Sequence, residues 1–407
     1  MSTSSQYDVV IVGGGSAGIT VAAHLQQSDR APESIAIIEP SDTHYYQPIW
    51  TLVGAGVFDK EISERPMAEF IPEGVTWIQD YAETFDPDAN TVSTQSGDTI
   101  EYNYLVVAPG IQLDWDGIPG LADAVADPRS GVVSNYAYEY CEDTWDTMQT
   151  LQPGDSAVFT QPATPIKCGG APQKIMYLTA DHLRKRGILD DVSVQFYTPG
   201  TVIFGVEKFA RTLRDVVDRY GIDVHLHSEL VEIRPDTNEA VIRGTGGGDS
   251  APGERVVSYD MLHVTPPQSA PDFIKESPLS NDEGWVDVHK HTLQHNTYDN
   301  IFSLGDASST PNAKTGAAVR KQAPTVVHNL LQLMHDGEIT APKEYHGYSS
   351  CPLVTGYGKL VLAEFDYDNE PDPTFSFDTS QERYSMYALK AYGLPQMYWH
   401  GMLRGRA

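Results

Sequence analysis

Residues 7–40, YDVVIVGGGSAGITVAAHLQQSDRAPESIAIIEP, constrain the fold more than any other stretch of the chain. They read as a buried strand, a glycine-rich turn, a helix and a second buried strand. Gly13, Gly15 and Gly18 fall at G-x-G-x-x-G spacing: the first permits the tight turn, the second lets a pyrophosphate approach the backbone, and the third lets helix pack on strand. Ser16 and Ala17 complete the first helical turn, whose N–H groups face the phosphates. Glu39 ends the second strand, about 20 residues beyond Gly18, where a carboxylate accepts both hydroxyls of a ribose. The expectation is a bound dinucleotide.

Two later stretches belong to the same unit. TIEYNYLVVAPG (99–110) reads as a strand pair ending in a tight turn, and NTYDNIFSLGDASS (296–309) as a strand ending in Gly305-Asp306. An aspartate at the carboxyl end of a strand, beside a glycine, suits a ligand at the edge of an open α/β sheet, although an Asx turn gives the same pattern. Between them lies a second strand–helix alternation whose first turn, TQPATPIKCGGAP, has no G-x-G-x-x-G. A nicotinamide dinucleotide has no place there for its pyrophosphate, and Cys168 occupies the position. At 407 residues the chain exceeds a single core. The expected class is therefore α/β with two Rossmann-like domains: residues 1–111 with 286–344, residues 112–285, and a C-terminal segment 345–407 carrying Cys351. The run 244–254, GTGGGDSAPGE, reads as a surface loop.

Fifty-six acidic against 27 basic residues give a formal charge of −29, which repels nucleic acid and anionic lipid and otherwise describes a solvated acidic surface of the kind salt adaptation also produces. No nucleic-acid partner is expected. The histidines show no metal spacing, so no metal is expected either. The N-terminus lacks a basic region before its apolar run, and nothing approaches the roughly 18 apolar residues of a spanning helix. That points to a protein kept inside the cell. The tail, SQERYSMYALKAYGLPQMYWHGMLRGRA, reads as a helix broken at Pro395; its aromatics with Lys390, Arg404 and Arg406 fit an interfacial helix or a helix docked on the core equally well.

Three cysteines cannot staple a chain of this size, so reactive thiols are the alternative. Pro172 suits a first helical turn, which puts Cys168 just ahead of a helix N-terminus that favours thiolate over thiol. Lys167 and Lys174 add positive charge. The stretch YHGYSSCPLVTGYGKLVLAEFDY, from residue 345, reads as a strand pair, with Cys351, between GYSS and Pro352, in a turn rather than a core strand. Cys141 sits among carboxylates, which raise a thiol pKa, and reads as structural.

With these blocks in hand, TPIKCGGAPQKIMYL, YDMLHVTPP, GWVDV, SLGDASSTPNAKTGAAV, GYSSCPLVTGY and LVLAEFDY, the chain resembles the sulfide:quinone oxidoreductase family, in the branch that includes the mitochondrial enzymes. The resemblance runs from about residue 7 to 404. It implies FAD in the first domain, with Gly13, Gly15 and Gly18 at its pyrophosphate, Glu39 at the adenosine ribose and Asp306 at the ribityl chain. Gln47, Ala82 and Gly316 match positions that line the flavin; Lys321 stands where related flavoproteins vary, and is either a flavin-binding cation at the pyrimidine edge or a surface lysine. It implies that Cys168 and Cys351 form the redox pair, that Cys351 carries a persulfide while Cys168 delivers electrons to the flavin, and that Lys174 and Lys390 stabilise negative charge at the redox and quinone sites. The partners implied are sulfide, ubiquinone or menaquinone and a small sulfur acceptor. Peripheral contact with the cytoplasmic side of a membrane would run through the C-terminal segment, and the oligomeric state stays open. Two rivals share the pattern. One is an FAD-dependent NAD(P)H dehydrogenase or disulfide reductase, disfavoured by the missing second glycine motif; the other is a flavin-bearing sulfide sensor that does not turn over.

Overall fold

The computed structural model describes residues 4–248 and 251–407. The opening strand, Ser4–Val12, sits at the centre of a parallel sheet, between Ile35–Ile38 and Thr99–Val107. Its VVIV run is apolar throughout because both faces are covered, as parallel strands require. Side chains alternate across the sheet, so Val9 and Ile11 join one core while Val10 and Val12 join another. Val75–Ile78 extends the sheet beyond Ile35–Ile38. On the other side the long strand Thr99–Val107 splits its edge: its first half pairs antiparallel with Thr91–Thr94, its last part parallel with Ile301–Ser303. The strand ending at Ser303 thus returns to the first sheet after the whole intervening segment, as its sequence pattern predicts.

That segment builds a second parallel sheet, in the order Val132–Val133, Met261–Val264, Ser156–Thr160, Ser193–Tyr197, Asp223–His225. The helix Glu207–Tyr220 covers it with Phe209, Leu213, Val216 and Tyr220, one stripe at helical spacing, and ends at Gly221 in the left-handed region. A three-stranded antiparallel sheet, Ser228–Arg234, Glu239–Gly244 and Gly253–Ser258, completes the unit. The expected surface loop 244–254 overlaps two of these strands at its ends, and its residues 249 and 250 lie outside the described residues.

Two expectations for the C-terminal segment are corrected. Cys351 is in a strand, not a turn: Ser349–Gly356 pairs antiparallel with Lys359–Phe365, and Cys351 is buried opposite Ala363. Pro352 misleads here because a two-stranded ribbon leaves one edge of each strand free of ladder bonds, where a missing N–H costs nothing. The tail is not broken at Pro395. Tyr384–Ala388 runs through a wide π turn, Leu389–Gly393, into the helix Leu394–His400, so Pro395 falls in the first turn of a new helical stretch, where the ring is tolerated. Tyr398, Trp399, Met402 and Leu403 are buried on the first domain, whereas Tyr384 and Tyr392 are 70% and 57% exposed. The tail is docked on the core and keeps an aromatic outer face.

Candidate active site

Three of the four glycines in the glycine-rich turn have three different reasons. Gly13 has φ +101°, and a Cβ on it would fall 2.3 Å from the Ala108 carbonyl oxygen. At Gly18 a Cβ would meet the Gly13 carbonyl oxygen, which fixes the closeness of helix Ser16–Gln26 to the strand before it. Gly15 is different: nothing lies within 4 Å of its would-be Cβ, so the bare backbone there faces open space at a helix N-terminus. This is the cradle a pyrophosphate needs. Glu39 sits beside it, accepting the Gly14 N–H at 2.7 Å and the Ser41 N–H at 2.8 Å. Burial raises its pKa while those two bonds lower it. Ala82, half-buried, opens the strand that follows Val75–Ile78, whose last carbonyl takes the Glu39 N–H at 3.0 Å.

Gly305, at φ +73°, and Asp306 follow the returning strand Ile301–Ser303. Burial raises the Asp306 pKa, against the pull of Lys314 and Lys167. Gly316 opens the long helix Gly316–Asp336, and its Cβ direction is again empty. A half-buried carboxyl near two lysines, open backbone at Gly15 and Gly316 and a helix N-terminus are what a flavin dinucleotide's ribityl chain and phosphates require. Lys321 is not joined to this group: it is exposed on the same helix, 5.6 Å over the Tyr348 ring.

Cys168 lies at the mouth of helix Ala171–Arg186, with Gly170 as its N-cap and Pro172 in the first turn. Its φ of +52° bends the loop, while its N–H donates to the Lys314 carbonyl and its own carbonyl accepts the Ala171 N–H, both at 2.8 Å. The pair of glycines after it now has a reason. A Cβ on Gly170 would sit 2.4 Å from the Cys351 Sγ, so the Cys351 sulfur fills the room that a side chain would take. Strand and helix mouth, remote in sequence, bring the two sulfurs face to face.

Lys174, one turn into the helix and buried, donates from Nζ to the Cys168 Sγ at 2.9 Å. The interaction with Cys351 and the Lys174 charge hold Cys168 well below an ordinary thiol, while the same interaction and burial push Cys351 well above one. One sulfur is a thiolate and the other a thiol. Burial pulls Lys174 down, but the neighbouring sulfur charge outweighs it and the amine stays protonated. Lys390, also buried, donates to the Pro48 carbonyl at 2.8 Å and is lowered to about 7, by burial first and then by Lys174. Lys167 feels the Cys168 charge, while its Nζ donates to Gln47 Oε1 at 2.7 Å, which brings the loop 47–48 against the cysteine loop. Cys141 is buried elsewhere, bonded to the Tyr138 carbonyl, with its pKa pushed to about 12 by burial and Glu142.

Three residues of this neighbourhood were not legible as such. Lys314 donates to the Asp306 and Ser308 carbonyls, Tyr136 is buried against the Cys168 carbonyl, and His44 bridges the Gly14 carbonyl and the Tyr398 hydroxyl. Tyr136 and His44 act through partners distant in sequence, and Lys314 folds back on a turn six to eight residues before it, so no local motif marks them.

A profile described as pyridine nucleotide-disulphide oxidoreductase matches residues 7–150. The chain is similar to the mitochondrial sulfide:quinone oxidoreductase of Mus musculus, 46% identical over 405 residues, covering 99% of this chain and 88% of the relative. It is similar also to that of Dictyostelium discoideum, 45% identical over 399 residues, covering 98% and 86%. Among solved structures, the sulfide:quinone oxidoreductase from the hyperthermophilic bacterium Aquifex aeolicus shares its fold, with a TM-score of 0.78 at 22% identity and coverage of 98% and 92%.

Proposed function

The chain belongs to the sulfide:quinone oxidoreductase family, FAD-dependent enzymes that oxidise sulfide and pass the electrons to a quinone, and on that premise we propose which of its residues do the work. The observation that carries the proposal is the meeting of Cys168 and Cys351 beneath Lys174.

Gly13, Gly15, Ser16, Ala17 and Gly18 hold the FAD pyrophosphate, Glu39 the adenosine ribose and Ala82 the adenine side. Gly305, Asp306 and Gly316 hold the ribityl and phosphate region, and Gln47 lines the flavin beside the cysteines. When bound, FAD takes an electron pair from the sulfur side and returns it to the quinone. In the oxidised enzyme the two cysteine sulfurs are joined. HS⁻ attacks one of them; a new S–S bond forms as the old one breaks, leaving a persulfide on one cysteine and a thiolate on the other. The sulfur that leaves is the one whose thiol has the lower pKa, which is Cys168 with Lys174 at 2.9 Å. Cys351 therefore keeps the persulfide, and the sulfane sulfur departs to a small acceptor. Lys390, with a pKa near 7, holds or gives up a proton at Nζ on the quinone side.

In this reading the chain divides into 1–111 with 286–344, 112–285, and 345–407, a division supported by the strands each sheet recruits. No helix among the described residues is long and apolar enough to cross a membrane. Peripheral contact through the tail is supported by exposed Tyr384, Tyr392 and Met397, with Phe58 packed edge-on against Tyr392 at 5.8 Å.

The test is anaerobic titration of the yellow holoenzyme with sulfide, then addition of a soluble ubiquinone or menaquinone analogue. The flavin should bleach and recolour over many turnovers. Cys168→Ser and Cys351→Ser should keep FAD and fall below about 1% of the parental bleaching rate. Bleaching by NADH but not by sulfide would reverse the reading.

A further inference from the structure

Away from the cysteines, two loops bring metal-type ligands to one spot. The first follows Val288; the second links the long helix Gly316–Asp336 to the strand Ser349–Gly356 that carries Cys351. One ligand atom from each of His291, Glu344 and His346 lies within 4.8 Å of the other two. Histidine spacing gives no hint of this, because His291 and the pair Glu344, His346 lie on separate loops and neither alone can hold an ion.

The backbone beneath the three is fixed from several directions. His291 Nδ1 lies 2.9 Å from the Tyr345 carbonyl oxygen, and the Tyr345 N–H donates back to the His291 carbonyl at 2.8 Å. A carbonyl only accepts, so Nδ1 carries the proton and Nε2 keeps its lone pair, which is how a metal-bound imidazole is usually oriented by its outer partner. Buried Asn329 ties the loops together: its Nδ2 donates to the Thr292 and Lys343 carbonyls, both at 3.0 Å, and its Oδ1 accepts the Lys343 N–H at 2.8 Å. The Tyr367 hydroxyl donates to the Lys290 carbonyl at 2.7 Å, and its N–H to the His346 carbonyl at 3.3 Å. Of the two lysines adjacent to the ligands, Lys290 is drawn over the Tyr367 ring and Lys343 is exposed beside Glu344. On this rigid base the Glu344 and His346 side chains are exposed and make no hydrogen bond or ion pair with the described residues, and the His346 ring stands 5.7 Å from that of His291.

We propose that His291, Glu344 and His346 form a surface site for a divalent transition ion of the zinc type, held by two imidazoles and one carboxylate with water in the remaining position. Two nitrogen donors favour such an ion over Mg²⁺ or Ca²⁺, which take oxygen ligands. Modest rotation of the two free side chains brings all three donors to the roughly 2.0–2.2 Å that zinc requires. His346 lies just before the strand carrying Cys351, so an ion here ties the approach to that strand to the loop at His291. The proposal is independent of the sulfide chemistry.

The test titrates the FAD-loaded full chain with ZnCl₂ by calorimetry and measures metal content after gel filtration. One zinc per chain should be retained, and zinc should raise the thermal unfolding midpoint while MgCl₂ does not. His346→Gln and Glu344→Gln, both at exposed positions, should each weaken this binding at least about tenfold and abolish the thermal rise. Their sulfide-dependent quinone reduction in chelator-treated buffer should match the parent, which shows that they are folded. Cys168→Ser should retain the zinc. Parental affinity and stoichiometry in both His346→Gln and Glu344→Gln, or complete loss of zinc in Cys168→Ser, would overturn the assignment.

Discussion

Lys174 and Lys390 share the same two sulfurs as neighbours yet shift in opposite directions. Lys174 bonds Cys168 directly and stays protonated; Lys390 bonds only a carbonyl, feels Lys174 as a like charge, and drops to about 7. Replacing Lys174 with Met should raise the Cys168 pKa, because it removes the cation bonded to that sulfur. Measured as the pH dependence of Cys168 alkylation in reduced enzyme, the midpoint should move upward, and sulfide-dependent bleaching at neutral pH should slow about tenfold or more. Lys390→Met should remove the inflection near pH 7 from the pH profile of quinone reduction. Its effect on stability has a definite sign. Between about 7 and the ordinary lysine value near 10.4, the unfolded chain binds a proton at this position that the folded chain does not, so folding stability falls as pH drops across that window. In Lys390→Met the difference between denaturant midpoints at pH 7 and pH 10 should shrink. Cys168 and Lys174 were legible in sequence because helix-mouth chemistry is local. Lys167 keeps its attraction to the Cys168 charge, as its place beside the cysteine suggests, but its hydrogen bond to Gln47, 120 positions away, left no local mark.

At the scale of elements, the glycine-rich turn separates folding from ligand binding within six residues. Gly15→Ala meets nothing within 4 Å and keeps an ordinary φ of −73°, so the apoprotein should unfold at the parental temperature while FAD affinity drops at least about tenfold. Gly18→Ala drives a methyl into the Gly13 carbonyl, and should lower the unfolding midpoint of the apoprotein itself. Differential scanning calorimetry with and without FAD distinguishes the two. The strand–turn–helix–strand opening was readable because each residue type has one job there. The strand holding Cys351 was not, because Pro352 signals a turn unless the partner strand is known, and Pro395 signalled a break because a π turn leaves no mark in sequence.

For the whole molecule, a net charge of −29 and an aromatic outer face on the tail pull against each other at a membrane. Binding should be stronger to neutral phosphatidylcholine vesicles than to anionic ones at low salt, with the gap closing as salt screens the repulsion. Tyr392→Ser with Met397→Ser should reduce co-sedimentation with either vesicle. The two-sheet architecture and the return of the chain at Ile301–Ser303 were visible in the strand pattern, whereas the docking of the tail was undecidable from its composition, which suits either surface. The docking has a consequence of its own. The Tyr398 hydroxyl lies 2.7 Å from Ser16 Oγ and 2.6 Å from His44 Nε2, so the last helix is latched to the very turn that cradles the phosphates. If the tail meets a bilayer as proposed, cofactor retention and anchorage there should behave as a single mechanical property: prying the carboxyl end loose should also loosen the flavin's proposed seat.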